Sequence, residues 1–193
     1  MRILVLGGAR SGKSAWAESF FAHDSSRAEG LTDSPVVNYV ATARPWPGDD
    51  DFGARIAAHQ LRRPAHWPTI DDTDAVDVLR TPESLAAPGH VLLDDVGTWL
   101  THLIDQHDAW EKPRGHLAHY TEELVNAVAG WPSQSTEQHL VIVSPEVGMS
   151  VIPEHRSGRL FRDEIGSLNS QLAEVCDKVV LVVAGCELVM KQP

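Results

Sequence analysis

Short apolar runs alternate along this chain with longer polar stretches, many of which carry apolar residues at helical spacing. Ile3-Leu4-Val5-Leu6 predicts a strand over 2–6, uniformly apolar after Arg2 and so expected at the centre of a parallel sheet. Residues 13–22 read as a helix, with Trp16 and Phe20 four apart and expected to pack on that sheet. A polar loop from Asp24 to Pro35 leads to a second strand, Val36-Val37-Asn38-Tyr39-Val40-Ala41. The Pro- and Asp-rich stretch Arg44 to Asp51 reads as a surface loop whose acids cap a helix over 52–62, which Pro64 ends. His66 to Asp71 is short and extended, 72–80 is a candidate helix, and Thr81 to Gly89 is a loop.

His90-Val91-Leu92-Leu93-Asp94-Asp95 is a third strand with two acids at its carboxyl end. Helical spacing returns in 96–104 through Trp99, Leu100, Leu103 and Ile104, and in 116–129 through Leu117, Tyr120, Leu124, Val125 and Val128. Leu140-Val141-Ile142-Val143-Ser144 is a fourth strand. The longest helix follows over 159–175, with a core stripe of Phe161, Ile165, Leu168, Leu172 and Val175. Residues 179–183 form a fifth strand, and 187–191 are a candidate for a short last one. The alternation predicts one α/β domain over residues 1–193, with a mostly parallel sheet flanked by helices. Ligands are then expected at the carboxyl ends of the strands, where Thr42, Asp94 and Glu146 fall.

The first strand ends in Gly7-Gly8-Ala9-Arg10-Ser11-Gly12-Lys13-Ser14. Glycine, four residues, then Gly-Lys-Ser is the spacing of a P-loop, in the strand-to-helix context that the motif requires. Glycines let the backbone wrap a triphosphate, and successive N–H groups form an anion nest at a helix N-terminus. Lys13 is expected on the β- and γ-phosphates and Ser14 on Mg²⁺. The P-loop upstream makes Asp94 the candidate acid that holds the same metal, with Asp95 its neighbour.

Net charge of −11 and a pI near 5.2 argue against nucleic acid or an anionic membrane as a general partner. Cys176 and Cys186 read as buried free thiols. The opening apolar run is too short for a signal peptide, and none reaches membrane-spanning length, so a cytoplasmic protein without membrane insertion is expected. His116 and His119 lie three apart with no third ligand in view, and read as surface residues. Arg156, Arg159 and Arg162 share a spacing that suits either an anionic ligand or a solvated face.

Several blocks together resemble one family. They are the P-loop with Tyr39-Val40-Ala41-Thr42-Ala43; Arg55-Ile56-Ala57-Ala58-His59 with Arg63-Pro64 and Trp67-Pro68-Thr69; Leu92-Leu93-Asp94 with Trp99-Leu100-Thr101; Glu146-Val147-Gly148-Met149 with Ile152-Pro153-Glu154; and Gly158-Arg159-Leu160-Phe161-Arg162-Asp163. They are similar to the bifunctional adenosylcobinamide kinase / adenosylcobinamide-phosphate guanylyltransferase family of cobalamin biosynthesis, from Met1 to about Lys191. The resemblance implies a RecA-like P-loop NTPase fold, a homotrimer and two reactions. ATP or GTP phosphorylates adenosylcobinamide; GTP then gives GMP to adenosylcobinamide phosphate through a guanylyl-histidine, here His59. It implies nucleotide contacts at Gly7, Gly8, Ala9, Arg10, Ser11, Gly12, Lys13 and Ser14, at Val40, Ala41 and Thr42, at Gln60, Leu61, Arg62 and Arg63, and at Asp71 and Asp94.

Some positions depart from the family pattern. Asp49-Asp50-Asp51-Phe52 stands for Asp-Asp-Glu-Met, Asp71 for glutamate and Pro145 for asparagine. Neutral imidazole is a competent nucleophile near pH 7, its ordinary pKa being about 6.5. Two other readings compete: a single-activity P-loop kinase of a small alcohol, and a nucleotide-sensing module without turnover. Acids at strand ends and a histidine among arginines count against the module.

Overall fold

β1 (Arg2–Gly7) lies in the interior of a seven-stranded sheet, with Ile3, Leu4 and Val5 fully buried. The computed structural model describes residues 1–24, 35–43, 53, 57, 61, 63–85, 89–132 and 138–192. In sheet order the strands are β3 (Thr69–Ile70), β2 (Val37–Ala41), β4 (His90–Asp94), β5 (Leu140–Pro145), β1, β6 (Lys178–Val183) and β7 (Cys186–Lys191). All pairs are parallel except β6 with β7. One strand, β5, separates the P-loop strand from the acid-bearing β4, so the chain has the RecA-like P-loop arrangement expected from its sequence.

Helices cover both faces because the central strands are apolar on both sides. Helix α1 (Lys13–Asp24) covers one face, where Ala17 and Phe21 pack with Ile3, Val5, Tyr39, Leu92 and Val141. Helices α2 (Ala75–Arg80), α3 (Val96–Gln106), α4 (Ala118–Gly130) and α5 (Arg156–Val175) cover the other, where Leu100, Leu124, Leu168 and Leu172 meet Leu4, Leu93 and Ile142. Trp16 and Phe20 pack at the edge of the first layer, half-buried and stacked on each other at 5.9 Å.

Several elements differ in extent from their sequence patterns; the helix expected over 72–80 begins at Ala75, after its Asp74 cap. The extended stretch 66–71 yields only the two residues of β3, because a turn from Pro64 to Trp67 precedes it and Pro68 has no N–H for the ladder. Helix α5 starts at Arg156, three residues early. The last strand covers Cys186–Lys191 and pairs antiparallel through Ala184-Gly185, whose φ angles of 51° and 79° suit a tight hairpin turn. Cys176 is buried as expected; Cys186 is exposed, because the edge strand it begins has no layer above it. No helix among the described residues is long and apolar enough to cross a membrane.

Candidate active site at the carboxyl ends of the strands

The P-loop leaves β1 in a conformation its glycines permit. A Cβ on Gly7 would collide with Ser11 Oγ and lie 2.7 Å from the Val182 carbonyl oxygen. Gly12, with φ of 95°, passes close under Gly185, and the Gly185 N–H donates to Ser11 O at 2.8 Å. The β6–β7 turn therefore braces the loop from one side. Ser11 Oγ is buried there with no protein partner, a donor that an oxygen ligand would satisfy. Helix α1 begins at Lys13 with no acid in its first turn, so its positive end is left for an anion.

Asp94, the last residue of β4, and Asp95, which follows it as the cap of α3, have different tasks. Asp94 shares the face of Leu92 and Tyr39 and looks toward α1, where its Oδ1 accepts from Ser14 Oγ at 3.2 Å. Its Oδ2 accepts from Tyr39 Oη. Asp95 instead caps α3, accepting from Gly97 N at 2.6 Å and Thr98 N at 3.2 Å. Its Oδ2 lies 3.9 Å from Lys13 Nζ. The capping task thus falls to Asp95 and leaves Asp94 to face the P-loop helix. Burial, and then the Asp94 charge, push the Asp95 carboxyl up to about 6 against the opposing pull of Lys13 and the two amides. Burial and the neighbouring Asp94 also push the Tyr39 phenol well above its ordinary value.

Thr42 extends this network. Its hydroxyl lies 2.6 Å from Asp95 O, accepts from Asp95 N at 2.9 Å and touches the Thr98 hydroxyl. Ala41 is half-buried. Val40 is buried in the core, so only its backbone is available to a ligand. Arg63 stacks over the Tyr39 ring at 3.6 Å and donates to Thr69 Oγ1 at 3.2 Å. Asp71 is exposed just past β3, and Leu61 is exposed. His59, Gln60 and Arg62, with Arg55, lie outside the described residues; Gly53, Ala57 and Leu61, the described residues of that stretch, are helical.

Ser14 and Asp94 present hard oxygen donors side by side at the foot of the phosphate loop. That is the donor set Mg²⁺ takes when substrate phosphates and water supply its remaining ligands. Sequence reasoning missed Tyr39 and the stacking of Arg63 on it. The one available signal was a tyrosine in a buried strand beside an acid-ending strand, since a buried phenol seeks a partner. The other basic and histidine patterns resolve structurally. Arg156 donates to the carbonyls of Glu111 and Lys112 at 3.0 and 2.9 Å, and Arg159 to that of Pro153 at 3.0 Å. Arg162 reaches Asp163 at 3.4 Å, and His119 pairs with Glu123 at 3.0 Å. Among the described residues no three His, Cys, Asp or Glu side chains gather as a metal site.

Residues 3–190 match the family model described as cobinamide kinase / cobinamide phosphate guanyltransferase. The chain is 38% identical over 192 residues to the bifunctional adenosylcobalamin biosynthesis protein CobP of Pseudomonas aeruginosa, covering 99% of this chain and 98% of that one. It is 36% identical over 197 residues to the bifunctional adenosylcobalamin biosynthesis protein CobU of Salmonella typhimurium, covering 99% and 100%. A solved structure from Pyrococcus horikoshii OT3 is alike in fold alone, with a TM-score of 0.50, 9% identity, and coverage of 99% of this chain and 86% of that one.

Proposed function

The chain belongs to the cobinamide kinase / cobinamide phosphate guanyltransferase family, and we propose that its single P-loop site performs both transfers. In the first, the aminopropanol hydroxyl of adenosylcobinamide attacks the γ-phosphorus of ATP or GTP and the nucleoside diphosphate leaves. In the second, a nitrogen of the His59 imidazole attacks the α-phosphorus of GTP and expels pyrophosphate. The phosphate of adenosylcobinamide phosphate then attacks the guanylyl-histidine, forming adenosylcobinamide-GDP and freeing His59.

The chain's own groups divide the work. P-loop amides and the α1 N-terminus hold the triphosphate, and Lys13 balances charge on whichever phosphate group leaves. Thr42, Arg63 and Asp71 lie on the β2–β3 side and serve the nucleoside end in this reading. Mg²⁺ between Ser14 and Asp94 supplies further neutralisation of phosphate charge. A homotrimer acting in the cytoplasm belongs to the same reading. The observation that carries it is the Ser14–Asp94 pair at 3.2 Å beneath a P-loop, in a chain matched to the family over nearly its whole length.

The test is labelling. With Mg²⁺ and GTP labelled at the α-phosphate, the denatured protein is expected to carry acid-labile label that is absent from His59→Ala. Label arriving from the γ-phosphate instead would overturn the histidine's role, as would no label in a protein that phosphorylates cobinamide. Tight GTP binding with no turnover of cobinamide would favour the nucleotide-sensing module.

A further inference from the structure

Three large apolar side chains stand in solvent on the segment that follows β5. Met149 is 77% exposed, Val151 90% and Ile152 68%. Single exposed apolar residues are ordinary, but three within four positions form a patch. The segment that displays them is held firmly. At its start, Ser144 Oγ donates to Asn169 Oδ1 at 2.6 Å, and Asn169 Nδ2 donates to Pro145 O at 3.0 Å. At its end, Arg159 donates to Pro153 O, and Gly158 lets Pro153 pack on α5, since a Cβ there would lie 2.9 Å from the Pro153 ring. Inside it, Gly148 N donates to Glu146 Oε1 at 2.6 Å and Ser150 Oγ to Val147 O at 2.9 Å. The exposure is therefore fixed by the fold at both ends and within the turn.

Its position is equally fixed. Pro145 pairs with Gly7 in the sheet register, and Glu146 N donates to Gly7 O at 3.0 Å. The segment thus leaves the sheet beside the first glycine of the phosphate loop. We infer that Met149, Val151 and Ile152 form the platform on which the corrin macrocycle rests while its side arm reaches the phosphates. This deepens the function proposed above and rests on it. A corrin is a broad ring with largely hydrocarbon faces and a polar amide rim, and its reacting group hangs on a flexible arm. Such a substrate needs an apolar support beside the transfer site rather than a deep pocket around the reacting atom. The segment leaves the sheet beside Gly7, and that origin next to the phosphate loop favours the substrate over a second copy of this chain as the occupant.

The test uses the full chain carrying Met149→Ser, Val151→Ser and Ile152→Ser together, with Val151→Ser alone as a milder variant. Guanylylation of the protein by α-labelled GTP needs no corrinoid and is expected to keep the unmodified rate in both. The KM for adenosylcobinamide in the phosphorylation assay is expected to rise about tenfold or more in the triple variant and about threefold in the single one, with the KM for nucleotide unchanged. An unchanged corrinoid KM overturns the inference and leaves the proposed function standing. A smaller assembly by sedimentation also overturns it, because the patch is then a contact between copies. Failure of the unmodified chain to phosphorylate adenosylcobinamide overturns the parent reading, and this one with it.

Discussion

Replacing Asp95 with asparagine is expected to stabilise the folded protein at neutral pH. The Asp95 carboxyl is half-buried, with Asp94 beside it; Lys13 at 3.9 Å and two helix-capping amides draw the other way. Burial and Asp94 win, and the group ionises near 6 in the folded chain against 3.8 when unfolded. Between those values the folded state holds the proton more tightly, so stability falls as pH rises from about 4 to about 6. Below the interval the penalty is absent, and above it the penalty is complete. At about 1.36 kcal/mol for each pH unit, the interval corresponds to at most about 3 kcal/mol. Asparagine caps a helix nearly as well as aspartate and carries no charge at any pH. Urea unfolding in metal-free buffer, followed by tryptophan fluorescence, should therefore show Asp95→Asn more stable by about 1–3 kcal/mol at pH 7.5. The advantage should shrink to near zero at pH 4. A variant equal to or weaker than the parent at pH 7.5, or a difference independent of pH, would refute the reasoning.

Ser14→Ala removes one of the two oxygens assigned to Mg²⁺. GTP affinity measured by calorimetry should fall about tenfold or more in Mg²⁺ and little in EDTA. Tyr39→Phe keeps the ring under Arg63 but removes the hydroxyl that donates to buried Asp94. The expected loss is about 1.5–3 kcal/mol in urea unfolding, with an unchanged m-value. Burial raises the Asp177 carboxyl, but hydrogen bonds from the Arg2 amide at 2.7 Å and its guanidinium at 2.9 Å outweigh that and hold it below the usual carboxylate range. Its contribution is present above the unfolded value of 3.8 and lost as pH falls through the lower folded value, so acid unfolding of Asp177→Ala should begin at higher pH than in the parent.

The buried parallel strands were legible because burial on both faces writes them as continuous apolar runs, as in Ile3 to Leu6 and Leu140 to Val143. The P-loop was legible because its spacing is local and its strand-to-helix context adjoins it. What escaped depends on contacts distant in sequence. Nothing near Tyr39 announces that its hydroxyl meets Asp94, because that meeting needs β2 beside β4 in one register. The division between Asp94 and Asp95 becomes readable only when α1 is known to lie on the face of Leu92 and Asp95 is known to cap α3. The arginines of α5 looked like a basic face because their spacing is visible and their acceptors are not. Arg156 and Arg159 bond backbone carbonyls, which no side-chain pattern records. The last strand was placed only over 187–191, since its residues are exposed and give no continuous apolar run.

The contacts that sequence reading missed also join the two ends of the proposed site. Arg63 lies on the ring of Tyr39, the hydroxyl of Tyr39 donates to Asp94, and Asp94 receives Ser14 from the P-loop helix. Each link is a direct contact, and Tyr39 is fully enclosed in the core, so the series has little room to shift except as a unit. Arg63 stands four residues after His59. Arg63 is thus linked through Tyr39 to the acid beside the phosphates. A shorter side chain at position 39 should affect the guanylyl step more than the kinase step. Both steps need the phosphates held, but only the guanylyl step needs the histidine segment at a fixed distance from them.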